Sequence, residues 1–169
     1  DKSASGKVLV LHMIGSHGPA YYERYPPAFE RFKPTCRQNT LQDCSRQEII
    51  NSYDNTIAYT DHVLAQLVGL LQQQSQRTPA LLYVSDHGES TGEHGLYLHG
   101  APFMVAPDEQ TKVPMVLWTP DAFNIWRGLD TTCMSARRDR PISHDHFFHS
   151  VLGLLDIRTA AYSGYLDVF

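Results

Sequence analysis

The stretch Ala80-Leu81-Leu82-Tyr83-Val84-Ser85-Asp86-His87-Gly88-Glu89 decides how this chain of 169 residues is interpreted. Residues 80–85 form a largely apolar run, which predicts a buried strand. Asp86 and His87 follow at once, and Gly88 permits the sharp bend that would bring both side chains to one ion. Sites in open parallel sheets form at the carboxyl ends of strands, so the stretch is interpreted as a strand that ends in a functional loop.

Apolar runs and a helical pattern on both sides of this stretch predict the rest of the fold. Upstream, residues 8–12 form a short strand pattern, and Ser45 opens a capping box that begins a helix ending near Gln74. This strand, helix and strand form a βαβ unit, which favours an α/β fold with a mainly parallel sheet flanked by helices. Downstream, residues 113–118 predict another strand, and Ser143 is placed to cap a last helix. The buried face of that helix is predicted to comprise Phe147, Phe148, Val151, Leu152 and Leu155.

Two long segments without periodicity are predicted to be ordered loops. Residues 19–44 contain four prolines and many aromatic residues, which indicates a loop packed by its own side chains. Residues 86–112 are rich in glycine and histidine. A segment of that length without regular structure inside a compact domain is usually functional, so the second loop is expected to carry the site.

Composition and charge exclude several classes of protein. Hydrophobic residues make up 42% of the chain and charged residues 19%, values typical of a globular domain with a core. The formal net charge is -4 and no basic run stands out, which argues against a nucleic-acid partner. The densest basic patch, residues 137–140, is interpreted as a solvated loop. No apolar run approaches the roughly 18 residues that are needed to span a bilayer.

The three cysteines favour a local disulfide over a zinc site. Cys36 and Cys44 are eight positions apart in a polar loop, and the C-x₂-C spacing of structural zinc sites is absent. A disulfide between them would indicate an oxidising compartment. Cys133 is then either free or paired with a cysteine outside this chain.

Five of the nine histidines fall in or near loops that follow predicted strands. They are His12, His17, His87, His94 and His99, and most of them have a glycine as a neighbour. A single histidine is usually a solvated side chain, but this clustering beside glycines indicates metal or phosphate chemistry. The other four, His62, His144, His146 and His149, lie on helical patterns and are interpreted as ordinary helix residues.

Seven blocks of the chain, in order and with matching spacing, resemble the bacterial phosphoethanolamine transferases of the alkaline phosphatase/sulfatase superfamily. The blocks are Ile14–Pro19, Tyr22–Pro27, Pro34–Cys36, Ser52–Thr56, Ser85–Ser90, Tyr97–Gly100 and Val105–Pro107. The similarity extends from about Lys7 to Trp118 and continues more weakly to the last helix. The Asp-His-Gly-Glu motif alone is less specific, since sulfatases and related phosphatases share it.

The resemblance implies a zinc site and residues for it. Asp86 and His87 match family ligands of a catalytic zinc. His17 and His99 match histidines that bind the transferred phosphate and can hold a second zinc, which makes them candidate catalytic residues. His94, where relatives often carry asparagine, is a further candidate for metal or phosphate binding.

The resemblance also implies a cellular setting. The family forms the disulfide that matches Cys36 and Cys44, and it works on the periplasmic side of the bacterial inner membrane, anchored there by an N-terminal membrane domain. We therefore expect residues 1–169 to be the C-terminal portion of a sulfatase-like catalytic domain, with the membrane domain and the upstream half outside this chain. The family's nucleophilic threonine and one glutamate ligand would lie in that upstream half, in the same or a partner chain.

Two threonines of the predicted long helix, Thr56 and Thr60, are interpreted as helix-surface residues rather than as that nucleophile.

The function implied by the resemblance is zinc-dependent transfer of phosphoethanolamine from phosphatidylethanolamine to a lipid A phosphate or another periplasmic glycan, through a phosphothreonine intermediate. Two alternatives remain open at this point. One is a sulfatase or phosphatase-type hydrolase of the same superfamily. The other is an inactive fragment that binds zinc, because the chain by itself lacks the expected nucleophile.

Overall fold

The computed structural model describes residues 6–74 and 77–169. Its α-helices are Arg46–Gln72 (α1), Asp108–Thr111 (α2), Asp121–Arg127 (α3), Thr131–Arg137 (α4) and Asp145–Leu154 (α5). Its strands are Leu81–Val84 (β1), Ser90–Thr91 (β2), Tyr97–Leu98 (β3) and Met115–Trp118 (β4). Short 3-10 helices cover Tyr21–Glu23, Pro27–Phe29, Leu41–Asp43 and Glu93–Gly95.

The described residues form two compact units. One comprises residues 12–74 and 81–118 and contains α1, α2 and all four strands. The other comprises residues 6–11, 77–80 and 119–169 and contains α3, α4 and α5. Among the helices of the described ranges, none combines the length and apolar character needed to cross a bilayer.

Helix α1 begins with the predicted capping box. The Ser45 hydroxyl accepts a hydrogen bond from the Glu48 amide at 3.3 Å, and the Glu48 carboxylate accepts one from the Ser45 amide at 2.8 Å. These two bonds satisfy amides that have no partner within the helix, so the helix starts at Arg46. It ends at Gln72, two residues before the predicted end at Gln74.

The first half of α1 buries polar side chains that hold the segment 19–44 in place. Ser52 Oγ accepts a hydrogen bond from the Cys36 amide at 2.8 Å. Asn55 Oδ1 accepts from the amides of Arg31 and Phe32 at 2.8 and 2.9 Å, and both polar side chains are fully buried. A loop without ladder hydrogen bonds needs such partners for its backbone, which is why this face of the helix is polar. The prediction of an ordered loop is confirmed.

A small core lies where this loop meets α1. It consists of Tyr21, Cys36, Leu41 and Ile49, each no more than 2% exposed. Cys36 is bonded to Cys44, which confirms the predicted disulfide, and Cys133 is a free cysteine. The bridge therefore ties the loop to the core from within.

The strand pairing differs from the predicted parallel arrangement. Strands β1 and β4 form as predicted, but they pair antiparallel, with Leu81 opposite Trp118 and Val84 opposite Met115. The expected strand over residues 8–12 is absent, and Leu9 and Val10 are 80% and 82% exposed. A strand is held by the backbone of a neighbour, and in the described residues no strand pairs with this run. The βαβ unit is therefore not formed here.

The last helix also differs in detail. The helix begins at Asp145, and the Ser143 hydroxyl accepts a hydrogen bond from the Asp145 amide at 3.3 Å, as expected of the predicted cap, although the residue directly before the helix is His144. The predicted buried face is only partly covered, because Phe148 and Leu155 are 53% and 41% exposed. Helical spacing identifies an apolar face, but burial requires a neighbouring element to cover it.

Candidate metal and phosphate site

The loop after β1 sends its side chains to different environments. The Asp86 side chain is 85% exposed, whereas that of Glu89 is 3% exposed. Between them, the Gly88 amide donates to the Gln110 carbonyl oxygen at 3.0 Å. A Cβ on Gly88 would lie 1.9 Å from the Glu109 carbonyl oxygen, so this glycine is required by close backbone packing rather than by the predicted sharp bend.

Glu89 lies at the centre of the site as a buried carboxylate. Its Oε2 accepts a hydrogen bond from the Tyr21 hydroxyl at 2.6 Å, and its Oε1 lies 2.8 Å from His99 Nδ1. The same Oε1 is 3.6 Å from His17 Nδ1 and 3.5 Å from the Gly18 amide. A carboxylate that approaches ring nitrogens in this way orients the imidazoles and selects their tautomer.

Three histidines lie close together, and two of them contact this carboxylate. His17, His87 and His99 each offer a ligand atom, and these atoms all lie within 4.8 Å of one another. The ring centroids of His87 and His99 are 3.9 Å apart, and those of His17 and His99 are 5.0 Å apart. His87 Nδ1 lies 2.9 Å from the Gly88 carbonyl oxygen, which leaves Nε2 available for a ligand.

The donor set fits zinc. Tetrahedral zinc takes imidazole nitrogen at about 2.0–2.1 Å, which separates ligand nitrogens by about 3.3 Å. The ligand atoms of the three histidines lie within 4.8 Å of one another, close enough for one ion to be shared among them. Three imidazoles, two of them beside one carboxylate, form the type of ligand set in which second-shell groups fix the ring orientation.

The described structure brings together some of the residues that the sequence singled out. Asp86 Oδ2 lies 3.9 Å from His87 Nε2, so the adjacent pair shares one region of space. His17 and His99 join His87 in one group. His94 lies outside that group, exposed on the 3-10 helix Glu93–Gly95 with a φ of 52°.

Thr56 corrects one interpretation. It is 1% exposed rather than on the helix surface, and its hydroxyl lies 2.6 Å from both Ser16 Oγ and the Tyr53 carbonyl oxygen. A hydroxyl held in this way is a structural group of α1 and not a free nucleophile.

Two central residues, Glu89 and Tyr21, were missed as site residues. Glu89 stood in the quoted Asp-His-Gly-Glu motif, and a carboxylate two residues after His87 was the available signal. Tyr21 offered none, because its contact with Glu89 joins positions 68 residues apart.

Burial and the Glu89 carboxylate keep the neighbouring phenols protonated. Burial is the larger cause that raises the pKa of Tyr21 far above its usual range, and its hydrogen bond to Glu89 adds to the shift. Burial, followed by the charge of Glu89, raises the pKa of Tyr53 in the same direction. The raised pKa keeps the Tyr21 hydroxyl protonated beyond the usual range of a phenol, so that it can donate to the carboxylate.

A cavity of about 300 Å³ adjoins the histidines. His87 and His99 form its polar wall, and Ala101, Phe103 and Ala106 contribute apolar surface. Gln110 holds this wall in place, since its Oε1 accepts from the Ala101 amide at 3.2 Å and its Nε2 donates to Ser90 Oγ at 2.8 Å. A polar end with apolar sides is the form expected of a pocket for a small amphipathic group.

The fold and site define the class to which the chain belongs. The model of the Sulfatase family matches residues 1–157, and the chain belongs to that family. This membership confirms the predicted alkaline phosphatase/sulfatase-like fold class.

Within the family, the chain is similar to phosphoethanolamine transferases, as the blocks of sequence indicated. It is 44% identical over 163 residues to phosphoethanolamine transferase EptA of Escherichia coli K12, a match that covers 95% of this chain and 30% of that protein. The soluble domain of lipooligosaccharide phosphoethanolamine transferase A from Neisseria meningitidis superposes with a TM-score of 0.90 at 43% identity, over 94% of this chain and 48% of that one.

A second solved structure agrees with the first. The C-terminal periplasmic domain of phosphoethanolamine transferase EptC from Campylobacter jejuni superposes with a TM-score of 0.82 at 40% identity. It is matched over 91% of this chain and 48% of its own length. The chain thus spans 30% of the E. coli relative and about half of each solved domain.

Proposed function

We propose that this chain is the C-terminal portion of the catalytic domain of a zinc-dependent phosphoethanolamine transferase that modifies lipid A. The observation that carries the proposal is the group formed by His17, His87 and His99, in which His17 and His99 contact the buried Glu89 carboxylate. This group is found in a chain whose similar relatives are named phosphoethanolamine transferases. The expected nucleophile, a threonine, belongs to the part of the catalytic domain outside this chain.

Zinc would be held by the residues that the chain already brings together. His87 with the adjacent Asp86 would supply one ligand pair, and His17 and His99 would bind a second ion or the phosphate itself. When bound, zinc lowers the pKa of an attacking hydroxyl and stabilises negative charge on phosphate oxygens.

The reaction proposed is a double displacement at phosphorus. The threonine oxygen forms a bond to the phosphorus of phosphatidylethanolamine, the bond to the glycerol oxygen breaks, and diacylglycerol leaves with a proton. A lipid A phosphate oxygen then forms a bond to phosphorus, and the threonine oxygen leaves. His17 and His99 would donate hydrogen bonds to the phosphoryl oxygens or supply the proton that the leaving group takes.

Donor and acceptor are proposed from the chemistry of the site and the relatives. The cavity beside His87 and His99 offers apolar surface from Phe103 and Ala106 next to the imidazoles, which suits the glycerol end of a phospholipid. The Neisseria relative is named for lipooligosaccharide, a glycolipid whose membrane anchor is lipid A. Phosphatidylethanolamine is therefore the proposed donor, and lipid A or a related periplasmic glycan is the proposed acceptor.

We also propose that the site works on the periplasmic side of the inner membrane. The Cys36–Cys44 disulfide supports an oxidising compartment, and the Campylobacter relative is a periplasmic domain.

The experiment that tests the function follows the phosphoethanolamine group. Phosphatidylethanolamine labelled in its headgroup is incubated with lipid A, excess zinc and the whole catalytic domain that contains this chain. Labelled lipid A together with diacylglycerol is the expected result. Free labelled phosphoethanolamine with unlabelled lipid A would instead identify a hydrolase of the same superfamily. No labelled product with either lipid would contradict the proposed function.

A matched pair of variants ties the product to the site. His99→Ala removes a member of the histidine group, whereas His62→Ala removes an exposed histidine of α1 that lies outside that group. The transfer rate should fall at least 100-fold in the first variant and stay within twofold in the second. Equal rates in the two variants would show that the histidine group is not the site.

A further inference from the structure

Tyr21 connects the loop core to the candidate site. Its side chain is 1% exposed and belongs to the cluster with Cys36, Leu41 and Ile49. Its ring packs edge-on against Tyr53, with the centroids 5.5 Å apart and the planes at 83°. The ring therefore has little freedom, and its hydroxyl is held at one place.

The Tyr21 hydroxyl is held beside the Oε2 atom of Glu89. The hydroxyl donates to Oε2 at 2.6 Å, while the other carboxylate oxygen, Oε1, faces His99 and His17 at 2.8 and 3.6 Å. The two oxygens of one buried carboxylate thus have separate tasks. One is fixed by the protein core, and the other orients two imidazoles.

We propose that the Tyr21 hydroxyl is a positioning group that acts through Glu89 to set the orientation and tautomer of His99 and His17. With the hydroxyl bound to Oε2, the carboxylate plane is fixed, and Oε1 can accept a proton held on Nδ1 of His99. His99 then presents the lone pair of Nε2 to a metal ion. Without the hydroxyl, Oε2 is a buried acceptor that lacks this partner, and the carboxylate can rotate towards other donors.

The backbone around Tyr21 supports this role. A Cβ on Gly18 would lie 2.9 Å from the Tyr21 hydroxyl oxygen, so the absence of a side chain at position 18 leaves room for the hydroxyl beside Glu89. The Gly18 amide lies 3.5 Å from Glu89 Oε1. The segment that carries His17 therefore packs directly against Tyr21 and Glu89.

The inference rests on the proposed zinc site, and zinc alone is the first probe. Tyr21→Phe keeps the ring and removes only the hydroxyl, while Tyr25→Phe does the same to a buried tyrosine whose hydroxyl contacts Asn55 instead. We expect the zinc Kd of the full chain to rise about tenfold in Tyr21→Phe, the low end of what loss of an outer-shell partner costs. It should stay within twofold of wild type in Tyr25→Phe.

A double-mutant cycle separates positioning from general damage. If Tyr21 acts through Glu89, then Tyr21→Phe adds no further loss of zinc affinity once Glu89→Gln is present. Additive losses would overturn the proposal, as would an unchanged Kd in Tyr21→Phe or equal losses in the two tyrosine variants.

The second readout needs no metal. Nitrogen NMR of the zinc-free chain reports which ring nitrogen of His99 carries the proton. We expect the Nδ1–H tautomer in wild type and Tyr25→Phe and a mixture of tautomers in Tyr21→Phe. A single unchanged tautomer in Tyr21→Phe would overturn the proposal. Failure of wild type to bind zinc would instead count against the proposed function, and the NMR comparison would still decide the role of Tyr21.

Discussion

At the scale of the residue, the histidines of the site differ in what orients them. Glu89 Oε1 lies close to Nδ1 of both His99 and His17, whereas His87 Nδ1 is close to the backbone oxygen of Gly88. A substitution at position 89 should therefore change the ring orientation of both His99 and His17. The ring orientation of His87 should instead depend on the position of the Gly88 carbonyl group.

Zinc affinity should follow the membership of this group. His17→Ala and His99→Ala each remove one imidazole, and we expect each to weaken zinc binding by at least tenfold, because affinity depends on several ligands acting together. His94→Ala should leave the Kd within twofold, since His94 lies outside the group. Chelator competition at constant pH provides the measurement. A loss in the His94 variant as large as in the others would contradict the assignment.

At position 88 the structure has no room for a side chain larger than that of glycine. Gly88→Ala would place a methyl group 1.9 Å from the Glu109 carbonyl oxygen, a backbone atom that cannot yield easily. We expect a loss of about 1–3 kcal/mol in the free energy of unfolding. Gly69→Ala is the control, and it should raise the free energy of unfolding rather than lower it. It lies in α1 with no atom within 4 Å of its Cβ position, so alanine should stabilise by about 0.5–1 kcal/mol. Urea unfolding of both variants measures the two effects.

At the scale of the element, α1 is specified by local chemistry at its start. Ser45→Ala removes the hydroxyl that accepts from the Glu48 amide, and we expect a loss of about 1 kcal/mol in the free energy of unfolding. Thr40→Ala serves as the control, because Thr40 precedes a 3-10 helix without a side-chain cap hydrogen bond. Its effect should stay below about 0.5 kcal/mol.

The same capping box predicts a pH dependence. The hydrogen bonds from Ser45 lower the pKa of Glu48 below its usual value. A carboxyl with a depressed folded-state pKa contributes stability above its unfolded pKa of about 4.3 and loses it as the pH falls through the lower folded value. The difference in urea midpoint between wild type and Glu48→Gln should therefore be present at neutral pH and shrink as the pH falls below about 4. A difference that grows on acidification would contradict the assignment.

The Cys36–Cys44 disulfide stabilises the segment that precedes α1. It closes a loop of only eight positions, so we expect the double variant Cys36→Ser, Cys44→Ser to lose about 2–3 kcal/mol, less than a long-range bridge would contribute. Cys133→Ser should be neutral, since Cys133 is free. Thiol alkylation without reductant should label Cys133 alone. Labelling of all three cysteines in oxidised protein would contradict the pairing.

At the scale of the whole molecule, the described residues bring the histidines of a candidate site together, and the proposed function requires a nucleophile as well. Thr56, on α1, is buried and hydrogen-bonded, and the resemblance places the reactive threonine outside this chain. We predict that the 169 residues alone, with a fluorescent phosphatidylethanolamine analogue and excess zinc, release no diacylglycerol. Release at the rate of the whole catalytic domain would show that a nucleophile resides in this chain.

The features that could be read from the sequence are those held by neighbours along the chain. The capping box at Ser45, the helical period of α1, the apolar runs that become β1 and β4 and the short disulfide loop are all patterns of residues a few positions apart. The Asp-His-Gly-Glu stretch and the glycine-flanked histidines were recognisable for the same reason, because a short motif carries its chemistry locally.

Only the tertiary structure decided which side chains meet. Glu89 joins Tyr21 and His17 from positions about 70 residues away, and β1 takes an antiparallel partner in β4. Burial likewise depends on which segments pack against a residue. Thr56 is buried although it is polar, whereas the apolar residues 8–11 are exposed. The physical reason is that hydrogen bonds and burial across long separations depend on the packing of distant segments. Local periodicity and propensity carry no record of that packing.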